Sequence, residues 1–265
     1  MEAEQLFKAG KLAQAIEAQL AKVKQQPANA SARFFLAELA AIAGDWDRTD
    51  RQLETIIKQS SDPDLYPLLL RQLVRAEIQR EQVFTEGRPP EVVVAMDTSS
   101  ELQLKICTAI RLGSWNDLAD LLEKEEAARP KVSGRCGDTP FDTILDMDDR
   151  LRGMAEVLTG HGKYYWVPWN RVQSIVFNKP QRATDLIWRR ATISVAGGPD
   201  GEVYLPARYP NPGQWTDLER MGRETRWEEP TQGVFTGIGQ RTLLIGDEER
   251  SFLELEEISI EIPPT

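Results

Sequence analysis

The chain runs to 265 residues, 41% of them hydrophobic, which is material for one or two domains with a sizeable core. Its formal net charge of −10 argues against the clustered Lys and Arg that a phosphate backbone requires, so no nucleic-acid partner is expected. No run of about 18 apolar residues is present to span a membrane. Met1-Glu2-Ala3-Glu4 lacks the basic start of a signal peptide, and Cys107 and Cys136 are too few for a disulfide framework, so a cytoplasmic setting is predicted.

From the N-terminus, glycines recur between runs of helical apolar spacing. Gly44 follows Gly10 by one period of about 34 residues, and Gly113 follows by close to two further periods. Such spacing marks helix–turn–helix units of the tetratricopeptide type, which stack into a solenoid with a concave binding face. Two residues after each glycine comes a large apolar side chain: Leu12, Trp46 and Trp115. Pro27 and Pro130 stand at the same distance after Gly10 and Gly113, where a helix must stop for want of a backbone N–H. The middle unit has Ser61 there, with Pro63 slightly late. Pro89-Pro90 breaks the helical region once, after which Thr98 or Ser99 offers a cap with Glu101 in the first turn.

The character changes over residues 131–140, which are rich in turn formers. One more helix is expected over Thr143–Leu158, ending at Gly160. Strand-like runs follow: Tyr165-Trp166-Val167, Ser174–Phe177, then Ala191–Val195 and Glu202–Leu205 as a hairpin. Thr242–Ile245 and Phe252–Leu255, flanking Gly246–Glu249, form a second expected hairpin. The expected fold class is therefore α+β. A tetratricopeptide-like all-α repeat domain, residues 1–131, precedes a small antiparallel β-rich domain, residues 139–265.

Chemistry-bearing residues are sparse. His161 is the one histidine, so no Ser/His/Asp or multi-histidine arrangement is available. The cysteines form no CxxC pair, and Cys107 falls among Leu104, Ile106 and Ile110 as ordinary helix packing. No catalytic residue, metal site or cofactor is expected. Asp142, Asp146, Asp148 and Asp149 suit the solvated first turn of a helix better than a cation site. Gly237-Ile238-Gly239 lacks the Lys-Ser/Thr ending of a phosphate loop. Trp166, Trp169 and Trp188 are expected to pack where the two domains meet.

A resemblance emerges from the C-terminal half: Tyr165-Trp166-Val167-Pro168, Ile175-Val176-Phe177, Asp185-Leu186-Ile187-Trp188-Arg189, Gly201 through Pro210, and Gly237 through Arg241. With these the chain resembles the ImpE/SciE/TagJ family of type VI secretion accessory proteins over nearly its full length. The resemblance implies no enzymatic activity. It implies partners at the contractile sheath: the N-terminal helix of the small sheath subunit, and the sheath-recycling (sheath-disassembly) ATPase.

The glycine register places Ser31, Phe34, Glu38 and Ala41 on the groove side of the second unit, Glu4 and Phe7 on the first, and Ser100, Gln103, Cys107 and Ile110 on the Gly113 unit. Phe7 and Phe34 are either apolar anchors for an amphipathic helix or core residues. Arg71 and Arg75, four apart on one helical face, either meet acidic groups on a partner or are solvated. The expected partner-binding residues are thus Phe7, Phe34, Glu38, Arg71, Arg75 and Gln103. Two other readings stand beside the adaptor. One is an enzyme with a polar site around Asp185, Arg189 or Arg241; the other is a structural protein that self-associates through a β edge.

Overall fold

The computed structural model describes residues 2–59, 65–210 and 213–262; Ser61 and Pro63 lie outside the described residues. The N-terminal half is a run of helices in which consecutive members pack on each other: α1 (Ala3–Lys8), α2 (Leu12–Gln25), α3 (Ala30–Ala43), α4 (Trp46–Gln59) and α5 (Leu65–Thr85). After a short strand β1 (Glu91–Val92), α6 (Thr98–Leu112) packs on α7 (Leu118–Ala128). The repeating glycines end helices or turn between them. Gly44 and Gly113 close α3 and α6 in the left-handed conformation, where a Cβ would be strained. The cap of α6 is Asp97, one residue before the predicted pair, and its carboxylate accepts from Ser100 N at 2.8 Å.

The C-terminal half supplies β2 (Gly134–Cys136), β3 (Thr139–Phe141), β4 (Ile144–Asp146), β5 (Met154–Leu158), β6 (Tyr164–Pro168), β7 (Val172–Phe177), β8 (Trp188–Val195) and β9 (Gly201–Pro206). A short helix α8 (Asp217–Arg220) is followed by β10 (Thr225–Thr231), β11 (Val234–Gly239), β12 (Thr242–Ile245), β13 (Glu248–Ser251) and β14 (Glu257–Ile260). The large sheet runs β1-β6-β5-β9-β8-β7-β14-β2-β3 and is antiparallel except that β1 pairs parallel with β6. A hairpin β10-β11 and a sheet β13-β12-β4 complete the described strands.

Three expectations change. The helix predicted over Thr143–Leu158 is two strands, β4 and β5. All five residues of β5 are buried, so the apolar/polar alternation that marks a half-buried strand is missing. Between them the Asp side chains bond the backbone locally: Asp146 accepts from Asp148 N and Asp148 from Arg150 N, each at 2.9 Å, which favours a turn over a helix. Asp146, Asp148 and Asp149 are accordingly buried rather than solvated. The second hairpin pairs β12 with Glu248–Ser251 across Gly246-Asp247, and Phe252–Glu254 forms a 3-10 turn whose Phe252 packs edge-on against Phe177. Trp166 and Trp188 do lie in a core shared by helices and sheet, whereas Trp169 belongs to the core of the β region.

The two halves are joined by charge. Arg80 of α5, 3% exposed, grips Glu156 of β5 through Nε (2.7 Å) and Nη2 (3.0 Å), Glu77 through Nη1 (2.8 Å), and the Arg208 carbonyl (2.8 Å). Glu156 also accepts from Tyr164 Oη at 2.6 Å and pairs with Arg241 at 3.1 Å; Arg241 in turn pairs with Asp146. Burial alone would push the Glu156 carboxyl up; the Arg80 and Arg241 guanidiniums outweigh it and hold it below its ordinary value. The Trp188 indole donates to Glu77 at 2.8 Å.

Helix ends are satisfied across the same seam. Lys11 gives α2 no side-chain cap, and Asp217 of α8 accepts from Ala13 N at 3.1 Å instead. At the carbonyl ends, Arg223 donates to Lys8 O (2.9 Å), Arg208 to Ile42 O (2.7 Å) and Arg220 to Ala43 O. Each charge has the sign the helix dipole favours.

Arg80→Met is expected to destabilise the protein by about 3–5 kcal/mol, because Glu77 stays buried without its cation and Glu156 keeps only Arg241. Urea unfolding checks it; a change below about 1 kcal/mol would mean water relieves these carboxylates. We propose residues 1–131 as a helical folding unit. Cut there, the chain should show helical circular dichroism but only a weak thermal transition, since it loses the caps from Asp217, Arg208, Arg220 and Arg223. A β signal from that fragment would move the boundary.

Candidate functional site

The groove side of α3 is set by its own sequence. Asn29 caps the helix by accepting from Ala32 N at 2.9 Å, and Ala37, Ala40 and Ala41, fully buried, let neighbouring elements approach closely. Phe34 and Glu38 then lie one turn apart on one face. That face does not stand free: the 3-10 turn Ala183–Leu186 of the C-terminal half packs on α3. The Phe34 ring is half-buried, 5.7 Å from the Tyr66 ring. The exposed Arg182 side chain lies 5.8 Å from the Phe34 centroid and 3.7 Å from that of Tyr66. Tyr66 Oη and Thr184 Oγ1 are 3.1 Å apart. Glu38 is 7% exposed beneath them, with Oε1 bonded to no described group. Burial pushes its carboxyl up to about 7, against the pull of Arg182 and with repulsion from Asp185 adding to the rise.

The other predicted positions are spread along the molecule. Phe7 is half-buried, edge-to-face with Phe35 at 6.2 Å, with the Arg223 guanidinium 5.6 Å from its ring. Arg71 is committed to Asp50, through Nε at 2.6 Å and Nη2 at 2.9 Å. Arg75 is exposed and donates to Gln72 Oε1 at 3.2 Å. Gln103 corrects the prediction: it is fully buried, its amide donating to Asp149 O (2.7 Å) and accepting from Gly153 N (3.3 Å), so it ties α6 to the β4–β5 turn. The groove register fails there because the C-terminal half covers that face of α6.

The remaining chemistry-bearing residues resolve into structure. His161 is exposed in the β5–β6 turn. Burial pushes the Cys107 thiol up to about 12. Gly237 is glycine because a Cβ would come within 2.2 Å of the Tyr209 ring. Asp185 accepts from Gln181 N and Arg182 N, Arg189 donates to the Leu253 and Leu255 carbonyls, and Arg241 is held in the buried charge network. Among the described residues no group of three or more His, Cys, Asp or Glu could hold a metal ion, and no helix is long and apolar enough to cross a membrane.

Sequence reasoning missed Arg80 and Arg208. Glu77 and Arg80, three apart on α5 where the helix also carries Val74, Ala76, Val83 and Phe84, were the available signal for the first. Nothing local distinguished Arg208. It lines a cleft of about 440 Å³ between the α3–α4 turn, α5 and residues 208–210 and 213–220.

The raised Glu38 value predicts a pH dependence. The folded state holds the proton above the unfolded value of 4.5, so this group's contribution is fully present below about 4.5 and is lost as pH rises through about 7. Glu38→Gln should therefore be more stable than wild type at pH 8, on the order of 1–3 kcal/mol, and about equal to it at pH 4.5. Parallel melting curves across that range check it; a constant difference would show that Glu38 does not titrate there.

Residues 138–259 match the model of the ImpE protein family. The chain is 31% identical over 265 residues to the type VI secretion system accessory component TagJ of Pseudomonas aeruginosa, spanning 98% of this chain and 92% of that one. The crystal structure of protein VPA1032 from Vibrio parahaemolyticus superposes with a TM-score of 0.91 at 25% identity, covering 98% of this chain and 97% of the other. The helical array, the β region sewn to it and these likenesses agree: the chain belongs to the ImpE/TagJ family.

Proposed function

We propose that this protein is a non-enzymatic, cytoplasmic adaptor of the type VI secretion system. It binds the amphipathic N-terminal helix of the small contractile-sheath subunit and acts alongside the sheath-recycling ATPase. The observation that carries this reading is the aromatic slot on α3 and α5. Phe34 and Tyr66 face each other with Phe34 only half-buried, and the side chain over them is the exposed Arg182, not a packed core residue. A large apolar residue of an amphipathic helix can enter such a slot. Phe7 offers a second half-buried ring on α1, and Arg75 an exposed cation on α5 for an acidic residue of the helix, with Arg71 beside it paired to Asp50. The likeness to TagJ supports the secretion-system setting.

The test is titration of a peptide from the small sheath subunit's N-terminus into wild type, Phe34→Ala and Glu38→Gln, with melting curves to confirm folding. Phe34→Ala should cost on the order of 2 kcal/mol, roughly thirtyfold in affinity. Glu38→Gln, buried below the slot, should change binding little. Wild-type affinity in a folded Phe34→Ala protein would place the helix elsewhere, and no binding to wild type would remove the sheath reading.

A further inference from the structure

The cleft beside Arg208 lies between the Ala43–Trp46 turn, the Glu77–Glu86 stretch of α5, and residues 208–210 and 213–220. Its apolar walls include Trp46, Ile78, Phe84 and Trp215. Arg208 is 8% exposed, and its Nη1 donates to Ile42 O at 2.7 Å and Arg220 O at 2.5 Å. Its Nε and Nη2 donate to none of the described residues. Three other arginines in the molecule show what that edge can hold. Arg71, Arg80 and Arg150 each turn Nε and Nη2 to the two oxygens of one carboxylate: Asp50, Glu156 and Asp148. Arg208 alone among these four has no carboxylate of the described chain on that edge.

We propose that this cleft binds a carboxylate from outside the chain, gripped by the Nε and Nη2 edge of Arg208. Three features favour it. The edge matches a planar carboxylate with two parallel hydrogen bonds, a geometry a tetrahedral anion or a halide fits less well. The guanidinium is already fixed, by its two carbonyl bonds and by the Trp215 ring 5.3 Å from Cζ, so little freedom is lost on binding. Its charge also lacks compensation: burial, with repulsion from Arg80 and Arg220 and only partial relief from Glu77, pulls Arg208 down to about 10. The acidic groups of the α5 wall do not fill the role. Glu77 is taken by Arg80 and Trp188, Glu81 accepts from the Trp46 indole at 2.9 Å, and Glu86, also in the wall, accepts none of the hydrogen bonds that Arg208 donates to the described residues. The carboxylate can belong to a small organic acid or to an acidic residue of a peptide; the chemistry at Arg208 is the same. This site goes beyond the sheath-helix reading and stands on different residues.

The experiment uses the full chain labelled with 15N-arginine. Arginine Nε–H resonances are followed while sodium glutarate, or the peptide acetyl-Ala-Glu-Ala-amide, is added against sodium chloride of equal ionic strength, with sodium sulfate as a second control. One Nε–H resonance should move and saturate with a carboxylate, and should be missing from Arg208→Lys, whose affinity should fall roughly tenfold or more. Should Arg208→Lys fail to fold, because Nη1 also caps α3, a second variant decides. Ile78 is 38% exposed in the cleft wall, and Ile78→Glu should weaken carboxylate binding several-fold by like-charge repulsion. Saturation by glutarate alone assigns the site to a free acid, and tighter binding of the peptide assigns it to a polypeptide. The proposal is overturned by no saturable shift, by an equal response to sulfate, or by affinity unchanged in a folded Arg208→Lys or in Ile78→Glu.

Discussion

Arg80 fixes where the helical array sits on the sheet. A guanidinium this deeply buried is tolerable only because four of its five N–H donors are used: two bonds to Glu156, one to Glu77 and one to a carbonyl. Those acceptors come from α5 itself, from β5 and from the stretch after β9. Sliding α5 along the sheet by one turn would strand at least one buried carboxylate. A greasy contact would tolerate such sliding at much lower cost, since hydrophobic burial is not directional. The network therefore contributes position more than net stability, which for buried ion pairs is often near zero relative to a packed apolar alternative.

Once α5 is placed, the helix ends follow. Asp217, Arg208, Arg220 and Arg223 reach from the C-terminal half to the ends of α1, α2 and α3, each with the sign the helix dipole favours. A repeat array ordinarily needs capping elements at its ends to be soluble; here the β region also satisfies helix ends from the side. The cost is borne by the groove. Packing the 3-10 turn Ala183–Leu186 on α3 leaves Glu38 dry and Phe34 half-covered, so the proposed groove face of α3 is shared between the halves.

The same seam leaves two polar groups short of partners in different ways. Glu38 answers by holding its proton to about pH 7, the cheaper state for a carboxyl without a bonded cation. Arg208 cannot shed its charge near neutrality, and it lines the cleft with Nε and Nη2 donating to none of the described residues. The contrast follows from chemistry: a carboxyl becomes neutral within the physiological range, and a guanidinium does not.

By itself the sequence determined the helical array and its turns, because glycine at helix ends and proline after them act through local backbone geometry. It determined the hairpin Ala191–Val195 with Glu202–Leu205 for the same reason, since the pairing is set by the Gly-rich turn between them. It also placed Trp166 and Trp188 at the seam by their size and apolar area. Local pattern failed where burial is complete. Over Thr143–Leu158 the apolar spacing fits helix and buried strand alike, and only the neighbours β6, β9 and β12 select strands. The roles of Gln103, Glu38, Arg80 and Arg208 were illegible because each depends on a partner many residues away, from Asp149 O for Gln103 to Ile42 O for Arg208. Tertiary structure alone decided those, since a polar group's meaning is set by what stands opposite it once water has been removed.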